Sequence, residues 1–229
     1  MALILNIDTA TEHASVCISD NSVLLAFEES NDQKNHATFI QPAIQKIFSS
    51  INLSLSAVDA IAVTSGPGSY TGLRVGLSTA KGLCFALNKP LLTLNTLEVM
   101  AVAVIEELQK KNIATTNLLF CPMIDARRME VFTAIFDETL QTIMPPTAMI
   151  VDTNSFADYF SKQKIVFSGT GSIKCKRLLE QENVAFSSMQ YNSTHMIKLS
   201  EKQLVIKKFS DLAYSEPFYL KEFFSPQKK

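Results

Sequence analysis

The run Ser65-Gly66-Pro67-Gly68-Ser69-Tyr70-Thr71-Gly72-Leu73-Arg74-Val75-Gly76 constrains this chain more than any other stretch, because it holds four of the seven glycines. A strand-like apolar run, Ala60-Ile61-Ala62-Val63, leads into it, and a helical pattern over residues 77–87 leads out. Glycines between a strand and a helix let the backbone take positive φ and approach another surface closely. The loop departs from both familiar nucleotide motifs. A P-loop needs Lys followed by Ser or Thr after its last glycine, whereas Leu73-Arg74 follows Gly72. Against the dinucleotide fingerprint G-x-G-x-x-G the third glycine comes one residue late, and Pro67 takes away one amide donor. A tight strand-to-helix turn and a working phosphate cradle both stay open on these residues.

At 229 residues, 47% of them hydrophobic, the chain has material for a sizeable core in one large domain or two small ones. A net charge of −1 supplies no general attraction to nucleic acid or to an anionic membrane. The local basic runs Lys207-Lys208 and Lys228-Lys229 read as solvated ends. Cys17, Cys84, Cys121 and Cys175 are far apart and lie in or beside apolar stretches, the usual setting of buried free thiols in a reducing compartment. The first apolar run stops at Asn6 and Asp8 with no basic residues before it, which is unlike a signal peptide. No apolar stretch reaches the length of a membrane span. A soluble cytoplasmic protein is expected.

Apolar periodicity predicts strands over 3–7, 14–19 and 23–28, with Asp20-Asn21-Ser22 as a hairpin turn. A helix over 38–50 follows, with Phe39, Ile40, Ala43, Ile44, Ile47 and Phe48 at three-four spacing. Strand 60–64, the glycine turn, helix 72–87 and strand 91–94 make a β-α-β unit stopped by Asn88-Lys89-Pro90, and a helix over 97–110 comes next. The second half predicts strands at 118–124 and 130–136 joined through Asp125-Ala126-Arg127-Arg128, and a short strand at 148–151. A helix from Asn154 to about 161 and a strand at 165–167 lead to Ser168-Gly169-Thr170-Gly171-Ser172 and a helix over 173–181. Both halves thus run from hairpins through helix, strand and glycine turn to helix. The reading is an α/β fold with mixed sheets and an internal duplication, divided into lobes 1–105 and 106–229, with the tail packing back on the first lobe.

Helix 72–87 is apolar around most of its circumference, so it must be covered on more than one side. Gly72, Gly76 and Ala80, spaced by four, suggest a small-residue ridge for a neighbouring helix. With the broad stripe of helix 38–50, this makes Phe39, Ala43, Ile47, Tyr70, Gly72, Leu73, Arg74, Gly76 and Ala80 candidate partner-interface residues. The competing reading is that the monomer covers both faces itself. Arg74 is expected either to pair with an anion across an interface or to be solvated. Catalytic motifs are scarce. His13, His36 and His195 stand in unrelated contexts, and there is neither an H-E-x-x-H nor a G-x-S-x-G elbow.

Asn6-Ile7-Asp8-Thr9-Ala10-Thr11, the glycine turn, Lys81-Gly82-Leu83 and Pro217-Phe218-Tyr219-Leu220-Lys221 together resemble the TsaB (YeaZ) family. That family is the non-catalytic partner subunit in bacterial synthesis of threonylcarbamoyladenosine in tRNA. The likeness spans the chain and is densest in the first half, with Lys221 where the family commonly has arginine. It implies a duplicated actin-like, hexokinase-like fold in two lobes. It also implies a heterodimer with the transferase TsaD, recruitment of the ATPase TsaE, a homodimer when alone, and only indirect contact with tRNA. TsaD carries two metal-binding histidines four residues apart after the shared turn, and ungapped alignment puts Thr96 and Met100 there. The resemblance thus implies no catalytic residue and no metal. In actin-like relatives the turns corresponding to Asp8, Thr9 and Thr11, to Gly66 and Gly68, and to Gly169 and Gly171 face nucleotide. Here that implies a vestigial site, or ATP or ADP held jointly with the partner. An actin-like ATPase or phosphotransferase is the alternative function, and a peptidase a more distant one.

Overall fold

The computed structural model describes residues 2–32, 35–126, 128–160 and 163–221. Arg127, Lys228 and Lys229 and the expected end of a helix near 161 lie outside these residues. The first sheet contains β1 (Leu3–Asp8), β2 (Ala14–Asp20), β3 (Val23–Ser30), β4 (Ala60–Gly66) and β5 (Leu91–Asn95) in the order β3-β2-β1-β4-β5. Hairpins make β1–β2 and β2–β3 antiparallel, while the crossovers make β1–β4 and β4–β5 parallel. Helix α1 (His36–Ser50) joins β3 to β4, α2 (Tyr70–Leu87) joins β4 to β5, and α3 (Thr96–Lys110) follows β5.

The second half repeats this plan. Strands β6 (Leu118–Asp125), β7 (Glu130–Phe136), β8 (Thr142–Ile150), β9 (Lys164–Ser168) and β10 (Val184–Ser187) lie in the order β8-β7-β6-β9-β10. Helices α4 (Ala157–Phe160), α5 (Thr170–Leu179) and α6 (Ile197–Val205) occupy the places of α1, α2 and α3. Strand pairings match in kind as well, antiparallel for β6–β7 and β7–β8, parallel for β6–β9 and β9–β10. The internal duplication is therefore a property of the fold. Sequence periodicity misses β10 and α6, reads only the end of β8, and starts α4 too early.

The period-two alternation of β1 assigns its faces. Leu3, Leu5 and Ile7 pack with Ile40, Ile44, Ile47 and Leu77 of α1 and α2. Ile4 points the other way, toward α3, together with Ala60, Ala62, Phe120 and Val166. Helix α3 is thus wedged between the two sheets, which explains its uninterrupted buried run from Val99 to Ile105. Asn95 starts it, its side chain accepting from the Leu97 amide at 2.9 Å and the Glu98 amide at 3.4 Å. A lobe boundary at 105/106 would cut this helix, so the division expected from the sequence is corrected: α3 belongs to both sheets, and the second begins at Leu118. The outer face of the second sheet packs Phe167 edge-on to Phe156, with ring centroids 5.3 Å apart.

The chain then returns to the first lobe. Beyond α6 the Ser210 amide bonds Leu91 O at 2.9 Å, and the Phe218 amide bonds Ser65 O at 2.7 Å. Residues 206–221 form a strap across the β4–α2–β5 side of that lobe.

Candidate functional site: two closed turns and an open helix face

The first turn and the glycine turn bind each other. Thr9 Oγ1 donates to Gly72 O at 2.7 Å, and the Ser69 amide donates to Ala10 O at 2.7 Å. A Cβ on Gly68 would run into Ala10 O, one on Gly72 into Thr9 O, and one on Gly76 into Thr9 Oγ1. These glycines let α2 start directly against the end of β1. Gly66 has φ +121, a conformation open mainly to glycine, and the strap passes over it at Phe218 O. Anions need N–H donors. Here the Ser69 amide is engaged and carbonyl oxygens line the approach, so the residues present do not fit a phosphate in this turn.

Asp8 ends β1 fully buried. Its Oδ1 accepts from the Thr64 hydroxyl at 2.6 Å and the Ala10 amide at 3.2 Å, while its Oδ2 has no partner. Burial pushes its carboxyl up to about 6, against the opposing pull of Thr64, Ala10, Tyr191 and His13. Tyr191, also buried, is held well above the ordinary tyrosine range by burial and by the nearby Asp8 charge. Thr11 meets Tyr191 at 3.5 Å.

The second turn is closed by α3. Gly169, at φ +81, has space at its Cβ position taken by Met100 Cε and by Met123 O, and Gly171 faces Met123 and Val131. Thr96 Oγ1 is buried without a partner. At Thr96 and Met100, the two positions expected to lack a metal pair, stand a buried hydroxyl with no hydrogen-bond partner and a thioether filling the gap between α3 and the second turn. That donor set does not fit a transition-metal ion. No group of three His, Cys, Asp or Glu suited to a metal occurs among the described residues. The four cysteines are buried and unpaired, and burial pushes the Cys17 and Cys121 thiols up to about 12, far from a reactive thiolate.

Most of the expected interface residues face the wrong way for that role. Gly72, Leu73, Gly76 and Ala80 lie on the buried side of α2, with Leu73 and Ala80 at 0% exposure. Ala43 and Ile47 sit in the α1 core. The physical reason is that the ridge spaced by four packs on the chain's own first turn and sheet. Phe39 is half-buried against that core. Tyr70 and Arg74 are used within the chain: the Arg74 guanidinium lies 4.0 Å over the Tyr70 ring, and its Nε donates to Tyr219 Oη at 3.1 Å. The Tyr70 and Tyr219 rings stack at 5.1 Å.

The open side of α2 is one sequence reasoning missed. Thr71, Arg74, Ser78, Gly82, Phe85 and Ala86 are exposed there, Phe85 by 82%, so of the expected interface residues Arg74 does lie on this open side. A Cβ on Gly82 would meet nothing within 4 Å. Beside it, α1 exposes Thr38, Gln41, Pro42, Gln45 and Ser49, and a shallow cleft of about 630 Å³ runs from Gln41 to Leu55. Gly82 was the available signal, since a glycine inside a helix costs about 1 kcal/mol and calls for a reason.

Two sheets of identical topology, each flanked by equivalent helices and sharing α3, define the two-lobed actin-like class of α/β proteins. The family model for tRNA N6-adenosine threonylcarbamoyltransferase, TsaD, matches residues 27–223. The tRNA threonylcarbamoyladenosine biosynthesis protein TsaB of Haemophilus influenzae is 27% identical over 227 residues, covering 95% of this chain and 93% of its own. TsaB of Escherichia coli is 39% identical over 132 residues, covering 57% of this chain and 53% of its own. YeaZ from Pseudomonas aeruginosa has the same fold, with a TM-score of 0.82 at 23% identity over 96% of this chain and 100% of that one. The chain belongs to this threonylcarbamoyltransferase family, in its TsaB (YeaZ) branch. No helix among the described residues is long and apolar enough to cross a membrane.

Proposed function

We propose that this chain is the non-catalytic subunit for threonylcarbamoyladenosine synthesis in tRNA. It pairs with the TsaD transferase through the open side of α2 and the adjoining surface of α1, and the pair recruits the ATPase TsaE. Alone, it pairs with a second copy through the same surface. The observation that carries the reading is the closure of both glycine turns by the chain's own atoms, Thr9 and Ala10 at one and Met100 at the other. Chemistry in this fold occurs in the cleft between such turns, and here that space packs the two lobes together. Neither turn holds ATP or ADP in the isolated chain; a nucleotide belongs to the transferase side of the assembly. Contact with tRNA is indirect, in keeping with a net charge of −1.

The open face of α2 has the shape for a helix partner. Ser78, Gly82 and Ala86 form a lane of small residues in which a second backbone can come close, and Phe85 projects beside it. Reconstitution tests the reading. The chain alone should yield no modified adenosine, while a mixture of TsaD, TsaE and the adenylate-forming enzyme should need it. Full tRNA modification by that mixture in its absence would overturn the proposal.

A further inference from the structure

We infer that the turn at residues 211–215 of the strap is a second part of the partner-binding surface, with Tyr214 as its anchor. This rests on the α2 reading above. The turn is fixed from two directions. Within the strap, Asp211 Oδ1 accepts from the Ala213 and Tyr214 amides, each at 2.8 Å, and the Ser215 amide closes on Asp211 O at 3.0 Å. From α2, Lys81 Nζ donates to Ala213 O at 3.0 Å and to Ser215 O at 3.1 Å, the carbonyls on either side of Tyr214. Leu212 seats the turn in the apolar cluster of α1 and α2.

A turn pinned this thoroughly still leaves Tyr214 85% exposed. Lys81 lies three residues after Ser78 and four before Phe85, so all three share one side of α2. Lys81 therefore ties the turn that carries Tyr214 to the side of α2 that bears Ser78 and the 82% exposed Phe85. An exposed ring on a pre-ordered backbone loses little conformational freedom when a partner covers it. Tyrosine also offers an apolar face together with a hydroxyl, which is why it is enriched among interface anchors. Continuity with the α2 lane selects the occupant. A helix of the transferase lying along Ser78 and Gly82 would carry the adjoining partner surface over Phe85 and against Tyr214. That surface should present an apolar shelf with a hydrogen-bond acceptor for the phenol.

Titration calorimetry of the full chain against purified transferase tests this with Tyr214→Ala, Tyr214→Phe, Lys81→Met and Gly82→Leu. Tyr214→Ala should weaken association about 10-fold or more, Tyr214→Phe should recover most of that loss, and Lys81→Met should reproduce it by releasing the turn. Thermal melts of the Tyr214 variants should match the native chain because the side chain is exposed. No binding by the native chain, or binding indifferent to Gly82→Leu, would overturn the α2 reading itself. Binding abolished by Gly82→Leu yet changed less than about twofold by Tyr214→Ala would overturn only the role of the strap. A Tyr214→Ala effect on self-association alone would make the occupant a second copy, and this inference would fall.

Discussion

Replacing Asp8 with asparagine should stabilise the protein at neutral pH and do so in a way that pH reveals. Burial raises the Asp8 carboxyl from 3.8 to about 6. Below the unfolded value both states hold the proton and the group has no effect. As pH rises from about 4 to about 6 the unfolded chain ionises first, so the folded state loses ground, and the loss levels off above the folded value. A rise of about 2 units corresponds to about 3 kcal/mol of stability forgone at pH 7. Asparagine can keep the acceptor role of Oδ1 toward Thr64 and Ala10, and its amide takes the place of the unpartnered Oδ2. An unpaired N–H there costs about 1 kcal/mol or more, leaving a net gain of about 1–2 kcal/mol at pH 7. The chain has no tryptophan, so urea unfolding is followed by far-ultraviolet circular dichroism between pH 4 and pH 7.5. Glu98, raised by burial, and His195, lowered by burial, titrate nearby with opposite signs. Subtracting the native curve from the Asp8→Asn curve removes both. The difference should grow by about 3 kcal/mol across the window. A difference that stays constant from pH 4 to pH 7 would refute a buried, poorly compensated carboxylate at the end of β1.

Leu73→Asp or Gly76→Leu should unfold the chain rather than merely detach a partner. The first buries a charge at a site with no exposure and the second drives a side chain into Thr9, each costing about 3 kcal/mol or more in urea melts. Gly82→Ala should raise stability by about 0.5–1 kcal/mol, since its Cβ meets open space, as read by the shift in the urea midpoint. Phe167→Ala should cost about 3–5 kcal/mol by opening a cavity against Phe156 and Phe160, with the loss seen in thermal melts.

Much of the fold was legible because its strands stand out as short apolar runs and its two glycine turns mark equivalent places in each half. The second half was less readable for local reasons. Strand β10 has only four half-buried residues, and α6 mixes Lys198, Glu201 and Lys202 with its apolar positions. The direction of the α2 ridge was not legible. A Gly-x-x-x-Gly-x-x-x-Ala pattern says that something approaches closely, but the approaching group is the first turn of the same chain. Nor does local sequence announce that Lys81 and Arg74 on α2 hold a strap more than a hundred residues away in the chain.

The two repeats are not equally equipped. Helix α1 has 15 residues and α2 has 18, while α5, the counterpart of α2, has ten. Among the described residues only the first repeat sets two long helices side by side on its outer flank. Whatever ancestral symmetry the duplication created, on the proposed pairing through α1 and α2 the described residues offer a handle at one end only. An assembly gripping that handle closes after one join instead of growing into a filament.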